Sequence, residues 1–137
     1  MTLKFYQFMK KAIYTLIAAA MFSACQQSLE ERCAKEVENY NKKNCPAKIG
    51  DNTTIDSLVF ERSSHTMHYY YTLSGNADNP EIVEKINAGN ILLEQVKNST
   101  ALKTYKDAGY NFAYTYHSAS QKGRILFEKT FTEKEYK

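Results

Sequence analysis

The sequence has no tryptophan, two prolines, five scattered glycines, three histidines and three cysteines in 137 residues. Each scarcity excludes something. Glycines so dispersed build no phosphate-cradling loop, because the common nucleotide motifs need several within a few residues. His65 and His68 in "HTMH" stand three apart, a spacing that faces opposite sides of a strand, and His117 is distant. No cysteine supplies a third ligand nearby, so neither a metal nor another cofactor is expected. No G-x-S-x-G or comparable motif sets a nucleophile beside a base, so no catalytic residue is assigned and the chain reads as a non-enzyme. Basic clusters are short too, Lys42-Lys43 being typical, which argues against a nucleic-acid partner. No run of roughly 20 apolar residues, the length that spans a bilayer, is present.

The longest apolar run, Ala12 to Met21, is interrupted by Tyr14 and Thr15 and follows Lys4, Lys10 and Lys11. A cationic start, an apolar stretch of this length and small residues at its end make a secretory signal. Phe22-Ser23-Ala24-Cys25 resembles the lipobox of bacterial lipoproteins, although Leu is usual where Phe22 stands. That resemblance implies a diacylglycerol thioether on Cys25, cleavage before it, and acylation (palmitate, for example) of the new N-terminus. Several acyl chains give stable membrane anchoring where one is marginal. The alternative is ordinary cleavage after Ala18-Ala19-Ala20, leaving Cys25 a thiol. Gln26 is not the Asp that retains lipoproteins at the inner membrane of enteric bacteria, which favours the outer membrane and leaves its face open. The expected division is a leader at 1–24, an anchor and tether at 25–28, and one domain at 29–137. The leader holds three lysines and no acid, so the +3 formal charge of the whole chain belongs to it.

Leu29, Cys33, Val37 and Tyr40 recur at helical spacing behind Ser28, a plausible N-cap with Glu31 three residues on. Pro46 disfavours helical geometry at Cys45, so this helix should end by about Asn44. A polar turn follows, then "TIDSLVFERS" and "TMHYYYTLS" read as strands meeting around Ser63 to His65. In the second, Met67, Tyr69, Tyr71 and Leu73 alternate with His68, Tyr70 and Thr72. Asn79, Pro80 and Glu81 announce a helix whose expected apolar stripe is Ile82, Ile86, Leu93 and Val96. A short helical piece over Ala101 to Lys106 precedes "YNFAYTYHS" and "RILFEKTFT", two further strands. Helix-strand-strand thus occurs twice. The expected fold is α+β: a four-stranded antiparallel sheet with helices packed on one face, its tyrosines buried beneath the helix carrying Ile82, Ile86 and Leu93.

"CPAKIGDNTTIDSLVF", "MHYYYTL" and "YNFAYTYHSASQKGRILFEKTFTEKEY" resemble a family of small secreted or lipid-anchored proteins of Bacteroides-type bacteria. Its members follow P-x-x-(V/I)-(D/G)-(D/E)-x-T-x-(L/I)-D-S, then a tyrosine-rich strand, a helix and a closing strand pair. Here Thr54-Ile55-Asp56-Ser57 stands where Arg-Leu more often precedes the Asp. The resemblance implies fold and export, and it carries no activity.

Export favours oxidation of Cys33 and Cys45. An unbroken helix through both would hold their Cα atoms about 18 Å apart, whereas a disulfide needs less than about 7 Å. Bridge and continuous helix therefore exclude each other, and both stay open. Asp56-Ser57-Leu58 resembles an O-glycan attachment sequence of such bacteria, with Asp51 and Asp56 otherwise ordinary turn formers. Three classes of function follow. The first is a non-enzymatic envelope lipoprotein, an accessory or binding module with a protein or glycan partner. The second is an inhibitor-like protein offering an aromatic sheet face, with Tyr70 and His68 the candidate contacts because Tyr70 faces away from its neighbours. The third is a small hydrolase, which would require His68 or His117 beside a carboxylate in a pocket.

Overall fold

In the computed structural model the described residues are 27–137, so Cys25 and the leader lie outside them. The chain divides into units Met1–Arg32 and Cys33–Lys137. Helix α1, Leu29–Asn44, starts where Ser28 Oγ accepts from the Glu31 N–H at 3.2 Å, as the capping pattern requires. Glu30 and Glu31 occupy its first turn and Lys42 and Lys43 its last, each favourable to the helix dipole. Of its expected stripe, Cys33 and Val37 are buried and Tyr40 is exposed.

Beyond α1 the chain forms β1 (Ala47–Gly50), β2 (Thr53–Glu61), β3 (Thr66–Leu73), α2 (Pro80–Lys85), α3 (Ala88–Asn98), α4 (Lys103–Asp107), β4 (Asn111–Ser118), β5 (Ile125–Phe131) and α5 (Glu133–Tyr136). The sheet has five strands in the order β1-β2-β3-β4-β5. Two points of the expected sheet are corrected. The stretch after Pro46 that reads as a polar turn is a strand, with Ala47 opposite Ile55 and Lys48 opposite Thr54. Its four residues are too few to show alternation. The central pair, β3 and β4, is parallel, with Thr66 opposite Asn111 through to Leu73 opposite Ser118. Antiparallel pairing holds only within the hairpins, whose connections are short. The link from Leu73 to Asn111 carries three helices across one face and delivers β4 in the direction of β3, as a crossover of that length allows.

Parallel register sets like residues side by side. Tyr69 lies opposite Tyr114 and Tyr71 opposite Tyr116, and their rings stack with centroids 5.0 and 4.6 Å apart. On the same face Phe112 packs edge-on to Tyr136 of α5, and Tyr114 packs edge-on to Phe131. Tyr114 is 6% exposed, while Tyr69, Tyr71 and Tyr116 are half-buried rather than fully covered. Burial pushes the Tyr69 and Tyr116 phenols up to about 12, and Tyr71 and Tyr114 higher still. The C-terminal turn adds a lock with little sequence signal of its own. Thr132 and Glu135 form a capping box, and the Tyr136 hydroxyl donates to the Tyr110 carbonyl at 2.7 Å.

The single helix expected after Asn79 is two. Asn79 Oδ1 accepts from the Glu81 N–H and Pro80 sits at the start, both as read, but the helix stops at Ile86. Asn87 then adopts a left-handed conformation, φ 55° and ψ 55°, and α3 begins with a new phase. Of the expected stripe Val96 is buried, but Val83 and Leu92 take the other inward positions, Leu93 is half-buried, and Ile82 and Ile86 are exposed.

Candidate functional site

The sheet face opposite the stacked tyrosines carries a polar network across four strands. His68 on β3 sits with Nδ1 2.8 Å from Glu61 Oε1 on β2 and Nε2 2.7 Å from Thr115 Oγ1 on β4. The Thr115 hydroxyl donates to Glu128 Oε2 on β5 at 2.9 Å. Since a hydroxyl has one proton, Thr115 must accept from His68, so Nε2 carries a hydrogen. Nδ1 then meets both Glu61 and the Tyr70 hydroxyl, the latter at 3.0 Å. Thr115 is 1% exposed, so the middle of the network is buried, while Glu61 at its edge stays part-exposed. Asp56, placed in β2 rather than a turn, accepts from Thr72 at 2.8 Å, and Ser57 stands half-buried opposite Tyr70.

Tyr70 does project on this face, as alternation requires, yet its ring is stacked between others. The His68 ring stacks on it with centroids 4.1 Å apart, and the His117 ring lies nearly parallel to it at 9°, with centroids 6.3 Å apart. Its hydroxyl is held up in pKa chiefly by burial, with Glu61 and Glu128 adding to the shift. One face of the ring is therefore taken by His68. His68 and Tyr70 are thus brought together: the Tyr70 hydroxyl meets His68 Nδ1, and His68 also meets Glu61.

Cys33 and Cys45 are both free thiols in this arrangement, and α1 runs unbroken to Asn44. Cys33 is fully buried, and desolvation, with Glu36 adding, pushes its thiol up to about 11. Beside it the Tyr105 hydroxyl donates to Glu36, tying α4 to α1. Among the described residues no group of three or more His, Cys, Asp and Glu is arranged to hold a metal, and no helix is long and apolar enough to cross a membrane.

The second candidate was hidden by the helical phase error. Ile82, Ile86 and Ile91 are 41, 54 and 48% exposed and stand at the mouth of one cleft of about 240 Å³. Buried Leu73 and Leu92 and half-buried Tyr116 line it beneath. Three β-branched aliphatic side chains left wet around one concavity differ from a singly exposed isoleucine, which needs no explanation. The signal was present in the sequence as Asn87-Ala88-Gly89. Asn tolerates the left-handed region and Gly weakens a helix, so this tripeptide marks a phase break. Past Ile91 a shallower groove continues along α3 over Glu94, Gln95 and Asn98.

Comparison with known proteins places this arrangement. No curated protein matches the sequence. A Pseudomonas aeruginosa protein designated as secreted shares the fold at 12% identity, with a TM-score of 0.62 over 82% of this chain and 100% of that one. The type II secretion system pilotin AspS from Vibrio cholerae shares it at 14% identity, with a TM-score of 0.54 over 78% of this chain and 91% of that one. At such identities the likeness is one of fold. Residues 28–127 match a family model, and the chain belongs to that family, described as a domain of unknown function, DUF8479.

Proposed function

We propose that this protein is a non-enzymatic accessory module of the cell envelope, held at the outer membrane by acyl groups on Cys25, that binds a partner protein through the Ile82–Ile86–Ile91 cleft. The observation that carries the binding role is the cleft itself, apolar, concave and left open by α2 and α3. The polar side chains that could support chemistry point the same way. Both nitrogens of His68 and the Thr115 hydroxyl have partners within the sheet face, so none is poised toward a substrate. An envelope setting is supported by the signal and lipobox resemblance, and by a fold held in common with a protein designated as secreted and a secretion pilotin.

Two measurements test this. Intact-mass analysis of protein purified from membranes should find acyl chains at Cys25, and Cys25→Ser should release the protein or block its processing. A photo-crosslinking residue at position 86, in cells, should trap a discrete product that the same residue at Thr130 on the other sheet face does not. Identical products at both positions, or none at 86, would refute the docking role. An unacylated mature chain would refute the anchor.

A further inference from the structure

We propose that the end of the domain built by α4 and α5 rests on an anionic bilayer surface, with headgroup phosphates facing a cluster of five lysines. This rests on the acyl anchor at Cys25 proposed above and orients the domain on that membrane. Lys97 stands in the last turn of α3, Lys103 and Lys106 on α4, Lys134 on α5 and Lys137 just beyond it. Lys97, Lys103, Lys106 and Lys137 line one hollow, and Lys134 lines a second that shares Lys137. Asp107 and Glu133 are the carboxylates along the two. Five lysines against two carboxylates leave an excess of three, or of two once Glu94, 3.6 Å from Lys97, is counted. The mature chain holds fifteen Lys and Arg and fifteen Asp and Glu, so outside the two hollows ten face thirteen. A neutral chain is thus polarised. The fold makes this separation, since α3 and α5 meet although they are distant in sequence.

The contacts inside the cluster do not cancel it. Lys103 pairs with Asp107 and Lys137 with Glu133, each at 2.7 Å and four residues apart on the surface. Exposed pairs of this kind hold their side chains weakly. Lys106 donates to the carbonyls of Val96 and Lys97 at 2.8 and 2.7 Å, which leaves its positive charge in place. Reach chooses a bilayer over other anionic partners. The Tyr105 hydroxyl donates to Glu36, setting α4 against α1 seven residues from its start at Leu29. That length of helix spans about 10 Å, and the four residues back to Cys25 add at most about 14 Å. An acylated Cys25 is therefore held within roughly 25 Å of the contact that carries α4. Charge then chooses the end. Lysines near an anionic surface are drawn to it within a Debye length, about 10 Å at 0.1 M salt, and the remaining surface, with its excess of carboxylates, is repelled.

The test uses the mature chain carrying Cys25→Ser, whose attachment to vesicles owes nothing to acyl groups. It should sediment with phosphatidylethanolamine–phosphatidylglycerol vesicles and not with phosphatidylcholine alone, and the binding should fade as salt rises from about 0.05 to about 0.5 M. Lys97→Gln, Lys103→Gln and Lys134→Gln together should weaken it at least about tenfold, each lysine near such a surface being worth roughly fivefold. Lys42→Gln, Lys43→Gln and Lys48→Gln change the net charge equally, in the last turn of α1 and in β1, and should alter it less than about twofold. All six side chains are exposed, so the amide spectra of both variants should stay dispersed. In cells, a photo-crosslinking residue at position 104 of the acylated protein should trap phospholipid. Equal losses in the two triple variants, no preference for phosphatidylglycerol, displacement by free glycerol phosphate, or a crosslink at 104 to protein alone would overturn the proposal. An intact mass without acyl chains would remove the anchor while the vesicle result still stood or fell by itself, so the two failures are distinguishable.

Discussion

Asn41 provides the sharpest test of how the helical layer is joined to the sheet. Among the described residues β1 pairs with β2 only at Thr53, Thr54 and Ile55, and from Ser57 onward no described strand lies beside the outer edge of β2. Asn41 on α1 takes the place of that strand. Its Nδ2 donates to the Leu58 carbonyl at 2.7 Å, and its Oδ1 accepts from the Leu58 N–H at 2.8 Å. Leu58 is 4% exposed, so its peptide groups have little access to water if the carboxamide is removed. Two bonds contribute about 0.5–1.5 kcal/mol each, and orphaning a buried donor and acceptor raises the loss. Asn41→Ala should therefore destabilise by about 2–4 kcal/mol, roughly a 10 °C fall in melting temperature. Asn41→Asp separates the two bonds: the carboxylate keeps the Leu58 N–H but opposes its carbonyl, and only the protonated acid can donate there. This variant should recover stability as pH falls. Chemical denaturation at several pH values provides the readout. An Asn41→Ala variant within 0.5 kcal/mol of wild type, or an Asn41→Asp variant without pH dependence, would refute the reasoning.

Other outcomes follow from the same contacts. Phe112→Ala removes a fully buried ring packed on Tyr136 and should cost about 3–5 kcal/mol, while Tyr70→Ala should cost clearly less; equal losses in thermal melts would mean the two faces are misassigned. Tyr69 and Tyr116 ionise at about 12 in the fold against 10.0 when free, so the folded state resists losing their protons. Their contribution is complete below pH 10 and declines as pH rises toward 12, and alkaline difference spectra should show these phenols ionising late and together with unfolding. Native alkylation near pH 8 should modify Cys45 and spare Cys33, whose buried thiol titrates near 11; a native mass short of two hydrogens would show a bridge instead.

What could be read from the sequence was what depends on local chemistry. Ser28, Asn79 and Pro80 mark helix starts because capping is a matter of two or three neighbouring residues. The alternation in "TMHYYYTL" sorted Tyr69 and Tyr71 from His68 and Tyr70 because a strand has period two. The parallel centre of the sheet was not legible, since it depends on where three helices deliver the chain. Nor was β1, whose four residues are strand only because Thr53 to Ile55 lie beside them. The polar face needed register as well as alternation. Glu61, His68, Thr115 and Glu128 are far apart in sequence, and only the pairing of four strands puts them in line.

The cleft follows from the same crossover that escaped the sequence reading. Parallel pairing of β3 with β4 requires the chain to return along the sheet, and the return is made by short helices rather than one long one. A continuous helix from Pro80 would hold one phase and bring Ile82, Ile86 and Leu93 toward the core together. With the left-handed residue at Asn87, Leu92 rather than Leu93 joins Val96 in pointing inward from α3, and Val83 alone serves that purpose on α2. The isoleucines are then displaced outward on both sides of the break, converging from two helices on one opening. Their exposure is therefore a consequence of the break, and restoring the phase should remove it. Replacing Asn87 by a β-branched residue such as Val would make the left-handed conformation costly, by about 1–2 kcal/mol. If the break is what holds the cleft open, Asn87→Val should lose stability and, in the folded fraction, give less crosslinked product from position 86 than wild type. Asn87→Gly, which keeps left-handed geometry accessible, should preserve both. Equal stability and equal crosslinking at position 86 for the Val and Gly variants would mean that the cleft does not depend on this residue's conformation.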